Sequence, residues 1–279
     1  MIKPSKLASW LFLVGFYLLV ILLSSTFNFY LFDWPVLDWP ARISSGLIHP
    51  NLIINWALIG VYAFVLLGLD GSKFRDFGFL GSVKKGILYT VLLWLLLHLG
   101  VALWQRVSGN GVHLRPDLSQ NWTVLVGLLL GQLLGNVLLE EPFWRGFVWS
   151  QLTFKLFPER QRRRLYGAVL GSLLFALVHI PNQLVNHERG WADMPVWILN
   201  IFLMGLIFSG IFWWTRNLYV TMGFHALFNE PTLLLALPNA LTGEIVLSLL
   251  PLVCGLILLP FFRARASNQI SPTPTPESR

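Results

Sequence analysis

The chain has 279 residues, of which 55% are hydrophobic and only 12% charged, about half the charged share of an ordinary soluble domain. That deficit excludes a conventional globular surface, and the apolar residues fall in blocks long enough to span a bilayer. The formal charge of +7 sits between those blocks, so it reports membrane topology and not a nucleic-acid partner.

Eight hydrophobic segments follow one another, at about Ala8–Phe32, Asn51–Leu69, Lys85–Trp104, Trp122–Phe154, Leu165–Ile180, Met194–Trp214, Leu218–Leu237 and Ile245–Phe262. Each is expected to be a helix, because lipid cannot satisfy a free backbone N–H or C=O. The first follows Lys3 and Lys6 and is too long for a signal-peptide core, so it reads as an uncleaved helix. With the N-terminus in the cytoplasm, alternate connections place fifteen Lys and Arg on the cytoplasmic side and four on the other, with Arg145 inside a span. The positive-inside rule then favours eight spans with both termini cytoplasmic. The fold class is all-α, a polytopic transmembrane bundle over residues 1–265. Residues 266–279, rich in Ser, Thr and Pro, read as a disordered tail. The one cysteine, Cys254, excludes an intrachain disulfide and a thiolate metal cluster.

The polar residues within the spans carry the chemistry. In the fourth segment Gln132, Asn136 and Glu140 recur every four residues and so share one helix face. Gly127, Gly131 and Gly135 have the same spacing and permit close approach of another helix. A buried carboxylate costs roughly 2.5–3.5 kcal/mol even on the gentlest insertion scale, so the adjacent pair Glu140 and Glu141 needs a reason. Glu141 and Arg145 are i,i+4 and can form a salt bridge on one helix. Glu140 is left without an intrahelical counter-charge, as suits a general base. Pro142 removes a backbone donor directly after the pair, which predicts a local opening of the helix. The bland alternative is a buried structural ion pair and nothing more.

The fifth segment ends in Phe175-x-x-x-His179, and the seventh carries His225-x-x-x-Asn229, with both polar side chains on one face. A Glu pair, a His and a His-x-x-x-Asn on three separate spans can meet only inside the bundle. His98 in the third segment and Asn200 in the sixth stand alone and read as packing or hydrogen-bonding residues.

Glu140-Glu141-x-x-x-Arg145, Phe175-x-x-x-His179 and His225-x-x-x-Asn229, in that order and within spans, resemble the CPBP family of intramembrane proteases. That family includes the type II CAAX prenyl endopeptidases and the Abi-type proteins. The resemblance covers roughly Val124 to Leu235, and the catalytic half runs about 122–237. Trp144 stands where the family commonly has another aromatic. The resemblance implies a glutamate-dependent endopeptidase in which Glu140 activates a water, His179 helps to hold it, and His225 and Asn229 stabilise the oxyanion. Arg145 would lock Glu141 in place. It also implies a multi-pass protein of the bacterial cytoplasmic (inner) membrane, with the lipid bilayer and a membrane-associated peptide or protein substrate as partners. The family is often labelled metalloprotease, which adds a divalent metal (Zn) as a cofactor candidate held by Glu140, His179 and His225; yet no His-Glu-x-x-His helix is present.

Depth constrains this reading. Glu140 lies roughly 16 Å from a span end near Gln151, but His179 lies about 22 Å past Arg164. Convergence to within about one helix turn, 5.4 Å, requires the fifth helix to tilt or to start below the membrane surface. Two rival readings use the same residues. One is a non-enzymatic membrane immunity or scaffold protein that binds a peptide in the same cavity. The other is a transporter relaying protons, which predicts inverted repeats with broken helices in both halves; the polar cluster lies in one half only.

Overall fold

The computed structural model describes residues 10–26, 35–69, 77, 79, 81–109, 111–156, 162–185, 190–237 and 240–264. The expected tail 266–279 lies outside them, as do Lys3, Lys6, Lys73, Arg75, Arg160, Arg189 and Arg265 of the topology count. In chain order the helices are α1 (Trp10–Thr26), α2 (Pro35–Ile43), α3 (Pro50–Ala63, prolonged by a π-helical turn over Phe64–Leu69) and α4 (Val83–Val107). Then come α5 (Leu118–Leu156), α6 (Arg163–Val178), α7 (Ile180–Val185), α8 (Met194–Thr215), α9 (Leu218–Asn229) and α10 (Ala240–Leu258). Among the described residues the only extended pairing is an isolated bridge between Leu114 and Leu235.

Among the described residues, five helical stretches are long and apolar enough to cross a membrane: Pro50–Gly68, Val83–Val107, Leu118–Leu156, Arg163–Leu184 and Met194–Thr215. The all-helical membrane fold is therefore as expected, with five of the eight expected spans at full length. α4 shows the two-sidedness of such a helix. Tyr89, Leu93, Leu97 and Val101 are buried, while Ile87, Val91, Leu95, Leu99 and Leu103 are exposed apolar residues on the other side. Lipid covers an exposed face of that kind at no hydrophobic cost.

α9 is the axis of the bundle. Val220 through Leu227 are all buried, and a helix enclosed on every side must be a core element. Val220, Phe224 and Leu227 pack with α4, α8 and the end of α10, joining Leu93, Phe208 and Leu258 in one cluster. Leu218, Met222 and Ala226 pack against Val137 of α5. Small residues allow these approaches: a Cβ on Gly223 would strike the Thr90 hydroxyl, and one on Gly86 would strike Tyr219. The glycine stripe of α5 behaves as its spacing predicts. A Cβ on Gly127 would collide with the Gly46 carbonyl, and one on Gly135 would lie 3.4 Å from the backbone of Leu52.

Two expected elements differ. The segment Leu218–Leu237 is not one helix: α9 stops at Asn229, and Glu230 is extended at φ −142°, ψ 90°. Glu230 precedes Pro231, which disfavours helical backbone at that position. Residues 230–237 run on as an irregular strap. Irregular backbone in a membrane bundle needs partners within the protein, and α4 supplies them. The Leu234 N–H donates to His98 Nε2 at 3.0 Å, the Trp94 indole donates to the Thr232 carbonyl at 3.3 Å, and the Gln105 amide donates to the Ala236 carbonyl. His98 is thus a hydrogen-bonding residue, as its isolation in the sequence suggested.

The second difference is in α5, a single stretch of 39 residues that overruns Trp122–Phe154 at both ends. It is α-helical except for two π-helical segments, Gly131–Asn136 and Pro142–Val148. The second begins at Pro142, where the helix was expected to open. π-helical turns inside α-helices are frequent at functional sites.

Candidate active site

The two π segments flank one short α-helical piece, Val137–Glu141, which carries both glutamates. Glu141 points into the protein and is fully buried; its carboxylate pairs with Arg145 Nη1 at 3.1 Å, with that guanidinium only 2% exposed. The guanidinium also lies over the Phe175 and Phe208 rings, 4.6 and 5.1 Å from their centroids. The i,i+4 spacing put this pair within reach; the aromatic faces close it off from water.

Glu141 has a second partner that spacing did not reveal. His225 Nδ1 lies 2.7 Å from Glu141 Oε1. An ionised carboxylate only accepts, so Nδ1 carries the proton in this contact. The imidazole is further fixed by stacking on Phe208, with centroids 4.1 Å apart. Its other nitrogen, Nε2, then faces Glu140 Oε2 at 3.7 Å.

His179 reaches the same carboxylate from α6. It occupies the break between α6 and α7, where its backbone N–H turns to the Ala176 carbonyl. That leaves the Phe175 carbonyl one turn back to be taken by the His179 ring itself, Nδ1 to O 2.6 Å. A carbonyl only accepts, so Nδ1 donates and Nε2 is again the free nitrogen. It faces Glu140 Oε1 at 3.8 Å. Phe175 packs edge-on against the ring at 4.6 Å.

Three helices therefore bring two imidazole Nε2 atoms to the two oxygens of one carboxylate. Both gaps exceed a direct hydrogen bond, and each is the kind of separation that a water molecule bridges. Glu140 and His179 are about a fifth exposed, whereas Glu141, Arg145 and His225 are almost wholly enclosed. The depth requirement is met because α5 runs on to Leu156 and α6 starts at Arg163. Glu140 and His179 each lie sixteen residues from those ends, about 24 Å in both helices.

Asn229 is placed differently. It lies one turn beyond His225 at the exposed end of α9, and its Nδ2 donates to Gln132 Oε1 at 3.3 Å. Gln132 also accepts from Asn136 Nδ2 at 3.4 Å, and Asn136 Oδ1 accepts from Asn55 Nδ2 of α3 at 2.7 Å. Asn55 is a buried member of this polar group that sequence reasoning missed. The available signal was Asn51 and Asn55, two amides four apart in an apolar span.

The metal reading of Glu140, His179 and His225 is not supported. Among the described residues, no three His, Cys, Asp or Glu side chains are grouped to hold a metal ion.

Membrane-length helices enclose a Glu-His cluster between them. Residues 120–230 match the family model described as "Type II CAAX prenyl endopeptidase Rce1-like". That match supports the CPBP/CAAX protease family and, in general terms, an intramembrane protease of the CAAX type. No curated protein and no solved structure matches the chain.

Proposed function

We propose that this protein is an intramembrane endopeptidase that hydrolyses a peptide bond with water activated by Glu140. The observation that carries the reading is the approach of His179 Nε2 and His225 Nε2 to the two oxygens of Glu140, at 3.8 and 3.7 Å. A water held between Glu140 and His179 attacks the peptide carbonyl carbon while Glu140 takes its proton. As the tetrahedral intermediate collapses, the C–N bond breaks and Glu140 returns that proton to the leaving amine. The developing oxyanion is met by the second Nδ2–H of Asn229 and by His225. His225 can donate from Nε2 only as an imidazolium, because Nδ1–H is already directed at Glu141; its charge then lies between the carboxylates of Glu140 and Glu141. Oxyanion donors of this type are commonly worth 10²–10³-fold in rate each, as an order of magnitude. Arg145 holds Glu141, and Glu141 holds the tautomer and orientation of His225, the role of a carboxylate behind a catalytic imidazole.

The test is cleavage of a quenched-fluorescent library of membrane-spanning peptides by the purified, reconstituted protein and by Glu140→Gln. The expected result is cleavage by the native protein and its loss in the variant. Cleavage that survives Glu140→Gln overturns the role of Glu140. No cleavage of any peptide overturns the enzymatic reading and favours a peptide-binding protein.

A further inference from the structure

We infer that a relay of neutral amides, running from α3 across α5 to α9, fixes which way the Asn229 side chain points. Asn55, Asn136 and Gln132 are its positioning residues.

The polarity of the relay follows from one atom. Asn55 Nδ2 lies 2.8 Å from the backbone carbonyl of Asn51, and a backbone carbonyl can only accept. The Asn55 amide is thereby oriented, and the same Nδ2 donates its other hydrogen to Asn136 Oδ1 at 2.7 Å. Asn136 must then turn its Nδ2 toward Gln132, where it donates to Oε1. Gln132 Oε1 has a second lone pair, which accepts from Asn229 Nδ2. At each step the alternative amide orientation would set two oxygens or two NH₂ groups face to face. A side-chain amide on its own has no such preference, since its oxygen and nitrogen edges have nearly the same shape.

The local packing supports this arrangement. Gly135, beside Asn136, lets α3 approach until the Asn51 carbonyl would lie 3.4 Å from an added Cβ. Gln132 and Asn136 both sit in the first π-helical segment of α5. Asn55 is buried at 7% exposure, so bulk water does not compete for its amide. The consequence at α9 is that Asn229 keeps its nitrogen on the Gln132 side, with one N–H uncommitted.

This inference rests on the proposed catalytic role of Asn229, but its test separates the two. Asn136→Asp and Gln132→Glu each add one carboxylate to the same helix, four residues apart. The ionised carboxylate of Asn136→Asp cannot donate to Gln132, so Gln132 and then Asn229 must invert. The ionised carboxylate of Gln132→Glu still accepts from both neighbours, so the native polarity survives. Side-chain ¹⁵N–¹H resonances of Asn229 are recorded at pH 9 in ¹⁵N-asparagine-labelled, full-length protein, with Asn229→Ala to assign them. They are expected to move upfield in Asn136→Asp, away from the hydrogen-bonded position, and to stay in place or move further downfield in Gln132→Glu. Asn55→Leu, which adds no charge, is expected to give two sets of signals because the anchor is lost. Unchanged Asn229 resonances in Asn136→Asp and Asn55→Leu, or equal upfield shifts in both carboxylate variants, would overturn the relay.

The catalytic half is read with the peptide cleaved fastest from the library. Asn136→Asp should lower kcat by roughly tenfold, or about 1.4 kcal/mol, with KM unchanged. If Asn229→Ala cleaves as fast as the native protein, the role of Asn229 fails while the resonance result still decides the relay.

Discussion

α5 carries two polar clusters, one at each π-helical segment, and they are built on opposite principles. At Glu140, Glu141 and Arg145 the groups are charged or titratable, and each is held by a partner from another helix or by an aromatic face. At Gln132 and Asn136 every group is a neutral amide, and the order of donors and acceptors descends from one backbone carbonyl. The first arrangement stabilises and moves charge. The second stabilises direction. The proposed hydrolysis needs both, because a general base must change protonation state while an oxyanion donor must already point the right way.

The comparison breaks most visibly at Glu140. Glu140→Gln should reduce peptide cleavage by about 10²–10⁴-fold, the usual worth of a general base, with little change in the thermal unfolding of the purified protein. A fold-destabilising effect comparable to that of its neighbour would remove the distinction between the two glutamates. Arg145→Met should do the reverse of Glu140→Gln in kind. It leaves the Glu141 carboxylate buried with one partner fewer, and breaking a buried pair costs about 3–5 kcal/mol, read as a large drop in Tm. An unchanged Tm would show that the pair is not supporting the bundle.

A smaller effect is expected where α4 holds the strap. His98→Leu orphans the Leu234 N–H that now donates to the ring, a loss of about 1–3 kcal/mol for a group left unpaired. Hydrogen exchange should rise at Leu234 and its neighbours while α6 stays protected; faster exchange throughout the protein would mean that the strap is no separate unit. The smallest effect belongs to a charged pair outside the spans. The Arg115 guanidinium hydrogen-bonded to Asp117 holds that carboxyl down at about 2, below the ordinary 3.8. Its contribution to stability is present above the ordinary value and is lost as pH falls through about 2. Because the pair is solvent-exposed, Asp117→Asn should leave Tm at pH 7 and moderate salt almost unchanged. A clear shift there would show that exposed pairs matter in this protein as buried ones do.

Much of this was legible in the chain. Hydrophobic blocks announced a helical membrane bundle because only internally bonded backbone can cross lipid. Glu141 with Arg145, and the opening at Pro142, could be read because both depend on neighbours within one turn of the same helix. Gly127 and Gly135 likewise declared a close approach, although not what would approach.

What only the tertiary structure decided is every partner that arrives from a distant part of the chain. The second partner of Glu141 is His225, 84 positions away, and the acceptor for the Leu234 N–H is His98, 136 positions away. Asn55 gained its meaning only when α3 came against α5. Sequence patterns carry the period of a helix, so they resolve contacts along one element. They do not carry the axial register between elements, which side-chain packing sets. The chain itself marked Glu140, His179, His225 and Asn229 as costly polar residues in apolar spans. Register brought His179 and His225 to the carboxylate of Glu140 and sent Asn229 to Gln132.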